Sequence, residues 1–225
     1  LQLAAALTIK DKPKNILVLG LGAGSYVRYL LQYDYIEQIT VIDWSQELPG
    51  LIKQEDFISK VGNTIADPKI KMIVGDARLA LSLLPKNEFD LILDNLVYPN
   101  WTGATAVRTP YFFNLVSDTL KEDGIFSITT NYSRWRDEIL VGIHQAFPFV
   151  YENSNAYIAI ASKLEIVEKK NQSLKFIDLD LDKKQYQEIL NPGFIEVSKG
   201  DLMAEPFDEK KLFSEYYLTL EKIFR

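Results

Sequence analysis

Ile16-Leu17-Val18-Leu19-Gly20-Leu21-Gly22-Ala23-Gly24-Ser25 decides the fold. Four aliphatic residues in a row read as a strand covered on both faces, and the glycines after them as a turn whose missing Cβ atoms let a ligand approach the backbone. A helix-length segment, Ser25 to Gln32, follows. Strand, glycine turn and helix form the opening unit of nucleotide-binding α/β folds. The spacing here is G-x-G-x-G, and the third glycine of the dinucleotide fingerprint G-x-G-x-x-G falls on Ser25, so the pyrophosphate-binding version fits less well.

Outward from this unit, the runs Gln38 to Asp43, Ile70 to Gly75, Phe89 to Asp94 and Gly124 to Thr130 alternate with helix-length segments such as Tyr111 to Lys121. With Asn15 to Leu19 they predict five parallel strands in a doubly wound α/β sheet. After a predicted helix over Ser133 to Phe147, strands at Pro148 to Glu152 and Ala156 to Ser162 are separated only by Asn153, Ser154 and Asn155. That link permits only an antiparallel hairpin, whereas nicotinamide-dependent dehydrogenases keep a parallel crossover there. The expectation is a mostly parallel, seven-stranded, Rossmann-like sheet of the class I S-adenosylmethionine (SAM)-dependent methyltransferase type. This SAM-binding domain is expected over residues 1–163, with a C-terminal extension over 164–225. The extension is predicted to end in an amphipathic helix whose stripe, Leu212, Phe213, Tyr216, Tyr217, Leu220 and Phe224, docks on the main domain or forms a homodimer contact. The chain opens at Leu1 without an initiator Met, so Leu1 to Thr8 is expected to continue an upstream segment.

Composition narrows the partners. The 25 Lys plus Arg against 31 Asp plus Glu give a net charge of -6, which repels a phosphate backbone and argues against nucleic acid. With no cysteine, disulfides and thiolate metal sites are excluded, and a single histidine, His144, assembles no metal cluster. No apolar run approaches the roughly 20 residues of a membrane helix, so a cytoplasmic protein acting on a small-molecule acceptor is expected.

Asp43 ends the second strand about 20 residues past the glycines, where a carboxylate accepts both hydroxyls of a ribose. Gly75-Asp76-Ala77 closes the third strand, where Asp76 can accept from an adenine amine. Asp94 closes the fourth. Each strand-end Asp can also serve only as a cap for the following helix. The candidate cofactor site is Gly20, Gly22, Ala23, Gly24, Asp43, Asp76 and Ala77. The loop from Asn95 to Thr109 carries Asn95, Tyr98, Trp101 and Arg108 where such folds place the acceptor, and is expected to form a substrate lid or to cover the sheet edge.

These residues resemble the spermidine synthase family, the polyamine aminopropyltransferases, from about Lys14 to Thr130. Gly20-Leu21-Gly22-Ala23-Gly24-Ser25 is similar to the family's G-G-G-D-G-G block, and Arg28 matches the Arg that follows it. Asp67-Pro68-Lys69-Ile70-Lys71-Met72-Ile73-Val74-Gly75-Asp76 is similar to D-P-R-V-x-V-x-x-G-D, and Phe89-Asp90-Leu91-Ile92-Leu93-Asp94 to Y-D-V-I-x-x-D. Leu120-Lys121-Glu122-Asp123-Gly124 matches L-K-x-x-G. The resemblance implies SAM or its decarboxylated form as cofactor, Asp43 as ribose ligand and Asp94 as catalytic acid. Two positions depart from the pattern. Ala23 stands where the family's Asp grips the amine of the decarboxylated cofactor, and Val97 or Tyr98 where it has the second Asp of D-x-x-D-P.

A lysine-like amine stays protonated until about pH 10.4, so transfer to an amine nucleophile needs a carboxylate to orient and deprotonate it; Asp94 is the predicted group. Ala23 would no longer repel the carboxylate of ordinary SAM. The leading expectation is therefore methyl transfer to a small amine-bearing acceptor. The alternatives are aminopropyl transfer to putrescine and a non-catalytic SAM- or nucleoside-binding module.

Overall fold

In the computed structural model, residues 1–51, 64–96, 104–130, 135–166 and 193–208 are described. The strands are β1 (Asn15–Leu19), β2 (Gln38–Asp43), β3 (Ile70–Val74), β4 (Phe89–Asp94), β5 (Leu120–Thr129), β6 (Phe149–Asn153), β7 (Ile158–Ser162) and β8 (Ile195–Glu196). They form one sheet in the order β3-β2-β1-β4-β5-β7-β6-β8. The ladders from β3 to β5 are parallel, and β7 runs antiparallel to both β5 and β6. The doubly wound sheet with its closing hairpin is the fold expected. The order turns at β1 and β4, the switch point beside which such sheets bind ligands.

Helices cover both faces. Alternation along β1 sends Ile16 and Val18 to one side, with α1 (Gln2–Ile9) and α2 (Ser25–Leu30), and Leu17 and Leu19 to the other. The second side packs α4 (Ala77–Leu83), α5 (Pro110–Thr119) and α6 (Arg136–His144) through Leu81, Phe112, Phe113, Ile139 and Leu140. A single turn, α3 (Leu48–Leu51), follows β2. Burying one such aliphatic side chain stabilises the fold by about 1.5–3 kcal/mol, so the β1 positions Ile16, Leu17, Val18 and Leu19, all at 0% exposure, hold the two layers together.

Several boundaries differ from expectation; β6 covers Phe149–Asn153 rather than Pro148 to Glu152, and β7 starts at Ile158 rather than Ala156. Strand β5 begins four residues early, at Leu120, because the ladder breaks between Phe89↔Leu120 and Leu91↔Ile125 and bulges through Lys121 to Gly124. A Cβ on Gly124 would lie 2.9 Å from the Phe89 carbonyl oxygen, so a side chain does not fit at this close approach. Helix α6 ends at His144, short of the Phe147 expected, and its predicted start at Ser133 lies outside the described residues. Finally, the sheet has an eighth strand rather than seven: Ile195–Glu196 pairs antiparallel with β6. The expected terminal helix lies outside the described residues. No described helix is long and apolar enough to cross a membrane.

Candidate active site

The carboxyl ends of β1, β2 and β4 meet at the glycine turn. Gly20 has φ +87°, a backbone conformation that side chains rarely tolerate, and a Cβ there would sit 2.6 Å from the Asn95 carbonyl oxygen. Asn95 ties the turn to the end of β4: its backbone N–H donates to the Leu19 carbonyl (2.7 Å) and its Nδ2 to the Gly20 carbonyl (3.0 Å). Of the expected acceptor-loop residues, Asn95 therefore positions the glycine turn; Tyr98 and Trp101 lie outside the described residues. Gly22 and Ala23 are exposed at the crest of the turn, while Gly24 is buried as the residue before α2.

Asp43 is 7% exposed. Its Oδ2 accepts from the Leu21 N–H (2.8 Å) and its Oδ1 from the Ser45 N–H (2.9 Å). The first bond ties β2 to the glycine turn and the two together fix the carboxylate, yet each oxygen keeps acceptor capacity for a hydroxyl. Trp44, the next residue, is 76% exposed, and Val74, Asp43's neighbour in the β2/β3 ladder, is also exposed. An exposed aromatic and an aliphatic side chain beside a strand-end carboxylate suit the face of a nucleobase. Sequence reading passed over both; the signal available was a large aromatic directly after the strand-end Asp.

Asp76 behaves as a cap. Its Oδ1 accepts from Arg78 N–H (2.8 Å), and its Oδ2 pairs with Arg78 Nη2 at 2.9 Å. The hydrogen bond from Arg78 holds its carboxyl below the ordinary value, although partial burial opposes the shift. Ala77 opens α4 and is buried.

Asp94 is 3% exposed and forms a fork with Arg108, also 3% exposed: Nη1 to Oδ2 at 2.8 Å and Nη2 to Oδ1 at 3.1 Å. The Leu96 N–H donates to the same Oδ1 (3.0 Å). Burial pushes the Asp94 carboxyl up from its ordinary value, against the pull of the Arg108 guanidinium and the Leu96 amide. Arg108, expected on a loop that forms a lid or covers the sheet edge, is buried beneath the end of β4. Gln2 braces the same strand end from α1. Its Nε2 donates to the carbonyls of Asp94 (3.1 Å) and Ser127 (2.8 Å), and its Oε1 accepts from Tyr26 of α2 (2.8 Å). Near the end of β6, buried Glu152 accepts from Thr130 (2.7 Å) and from the guanidinium of Arg136 (2.9 Å). His144 lies in α6, away from this edge.

A glycine turn, a carboxylate at the end of β2 and a sheet closed by an antiparallel β7 define a Rossmann-like fold of the class I SAM-dependent methyltransferase type. Human methyltransferase-like protein 13 in complex with SAH shares it, with a TM-score of 0.58 at 16% identity over 95% of this chain and 96% of that one. So does spermidine synthase from Thermotoga maritima, with a TM-score of 0.60 at 19% identity over 98% of this chain and 72% of that one. The spermine/spermidine synthase domain matches residues 3–168, and the chain belongs to that family. It is 26% identical over 147 residues to a polyamine aminopropyltransferase of Thermoanaerobacter sp. (strain X514), covering 65% of this chain and 52% of that protein. Against polyamine aminopropyltransferase 1 of Aquifex aeolicus (strain VF5) it is 28% identical over 149 residues, covering 66% and 51%. The chain thus spans about half the length of these curated relatives.

Proposed function

We propose that this chain is the donor-binding and catalytic part of an aminopropyltransferase, which transfers the aminopropyl group of decarboxylated SAM to a small amine. The family match over residues 3–168 carries this reading, laid over a site that keeps Asp43 and Asp94 at the ends of β2 and β4. Bound, the donor supplies a carbon activated by its sulfonium. Asp43 is suited to hold ribose hydroxyls, Trp44 and Val74 to flank a nucleobase, and the exposed backbone at Gly22 and Ala23 to admit the rest of the donor. Asp94 stands at the acceptor end, where a carboxylate orients an amine and receives its proton. Its burial favours the protonated form, which is the direction a proton acceptor needs.

Similarity to aminopropyltransferases favours this reaction over the methyl transfer that Ala23 alone suggests. Methyl transfer from ordinary SAM stays as the second reading because Ala23 offers no charge at the turn crest. The coproduct separates them. With each donor in turn and a panel of small amines, aminopropyl transfer releases 5′-methylthioadenosine and methyl transfer releases S-adenosylhomocysteine. Release of the first, coupled to a lengthened amine, is expected; turnover of ordinary SAM alone would replace this reading with the second.

A further inference from the structure

We propose that Gln2 is a positioning residue for the transfer: its side-chain amide clamps the end of β4 to β5 and to the helix that leaves the glycine turn, and so fixes the Asp94 carboxylate relative to the donor. The inference rests on the aminopropyl-transfer reading and adds to it a residue outside the glycine turn and the strand-end acids.

Helix α1 buries Gln2, Leu3, Ala4, Ala5, Ala6 and Leu7, and Gln2 is the polar one among them, 3% exposed. A buried amide is disfavoured unless its donors and acceptor are engaged, and here they are. Its Nε2 donates to the carbonyl oxygens of Asp94 (3.1 Å) and Ser127 (2.8 Å), and its Oε1 accepts from the Tyr26 hydroxyl (2.8 Å). None of these bonds goes to α1 itself; all three reach the edge of the site. The reverse orientation of the amide would set Oε1 against two carbonyl oxygens, so the network admits one orientation.

The β4/β5 ladder ends at the pair Leu93↔Ser127, and Asp94 is the next residue, so the amide spans the two strands where their own pairing stops. It also holds one end of the peptide unit that joins Asp94 to Asn95. The carbonyl of that unit meets Gln2, and its N–H donates to the Leu19 carbonyl (2.7 Å). A planar unit held at both ends fixes the backbone torsion of Asp94 on that side, and with it the direction in which the carboxylate leaves the chain. Tyr26 is the second residue of α2, directly after the glycine turn, so the same amide joins the acceptor end of the site to the donor end. In the transfer, an amine nitrogen bonds to the donor's aminopropyl carbon as the carbon–sulfur bond breaks. The electron pair stays on sulfur in 5′-methylthioadenosine, and the amine's proton passes to Asp94. Nitrogen, carbon and sulfur must lie nearly in line, and a misplacement of about 1 Å costs about 100-fold in rate. Gln2 acts on this alignment through Asp94 and touches neither substrate.

The test uses Gln2→Met, which keeps the length of the side chain and removes both donors. In single turnovers of the whole chain with decarboxylated SAM and putrescine, its rate is expected to fall about 10- to 100-fold, while affinity for 5′-methylthioadenosine, titrated calorimetrically, stays within about threefold. Tyr26→Phe, which leaves both N–H groups of Gln2 in place, should lose about threefold in rate with the same affinity. Full rate in Gln2→Met overturns the proposal. So does a loss of donor-site affinity as large as the loss of rate, which a general loosening of the fold would produce. Should Gln2→Met fail to fold, Tyr26→Phe decides by the same split between rate and affinity. The wild type isolates the underlying reading: if it forms no 5′-methylthioadenosine from decarboxylated SAM, aminopropyl transfer falls and the role of Gln2 with it. Wild-type turnover that Gln2→Met retains in full removes only the role of Gln2.

Discussion

Asp43 and Asp94 end the two strands that flank β1, one in each ladder; Asp94 lies level with Leu19, and Asp43 one residue beyond Ile42, which is level with Leu19 on the other side. They are the same residue type at neighbouring strand ends, one step apart in register. Asp43 is held by two backbone amides and keeps acceptor capacity on both oxygens. Asp94 is held by a guanidinium fork plus one amide, inside the protein. The difference teaches that a strand-end carboxylate gets its chemistry from its partner: amides leave acceptor capacity on both oxygens, whereas a buried Arg takes the carboxylate into an ion pair with one acceptor position to spare.

If that contrast is right, the two acids fail in different ways when removed. Asp94→Ala leaves Arg108 buried without its counterion, and breaking a buried pair from one side costs about 3–5 kcal/mol. Urea unfolding should report a loss of that size. Asp43→Ala leaves behind two neutral amides, so its larger effect falls on donor affinity, reduced about 100-fold or about 2.7 kcal/mol, measured by titration with SAM or its decarboxylated form. Similar stability losses in the two variants, with donor affinity untouched in Asp43→Ala, would erase the distinction.

The same contrast explains what the sequence could and could not disclose. Strands β1, β2 and β4 are readable because burial on both faces calls for nearly continuous apolar runs, and the strand-end acids are readable because the glycine turn fixes where they must stand. Helix α1 is missed because its segment QLAAALTI is buried almost throughout and offers no polar face to mark a helical period. Strand β8 has two residues, too few to show any alternation. The partner of Asp94 is hidden for another reason: Arg108 lies 14 positions further on, and only the path of the intervening chain brings its guanidinium under β4. The spacing that located the acid carries no information about what neutralises it.

Asp76 offers the mildest test, being intermediate between the other two acids: it has both amides and an arginine, but at the surface, with its side chain 48% exposed. Solvent screens such a pair, so its worth lies mainly in capping α4, and Asp76→Ala should lose about 1 kcal/mol. Because Arg78 holds the folded-state carboxyl below its ordinary value of 3.8, this contribution is present above that value and is lost as pH falls through the lowered one. Urea midpoints of the wild type and Asp76→Asn should therefore converge in acid and separate above it. A gap that stayed constant across this range would mean that ionisation of Asp76 contributes nothing to the cap, and that the cap works through its geometry alone.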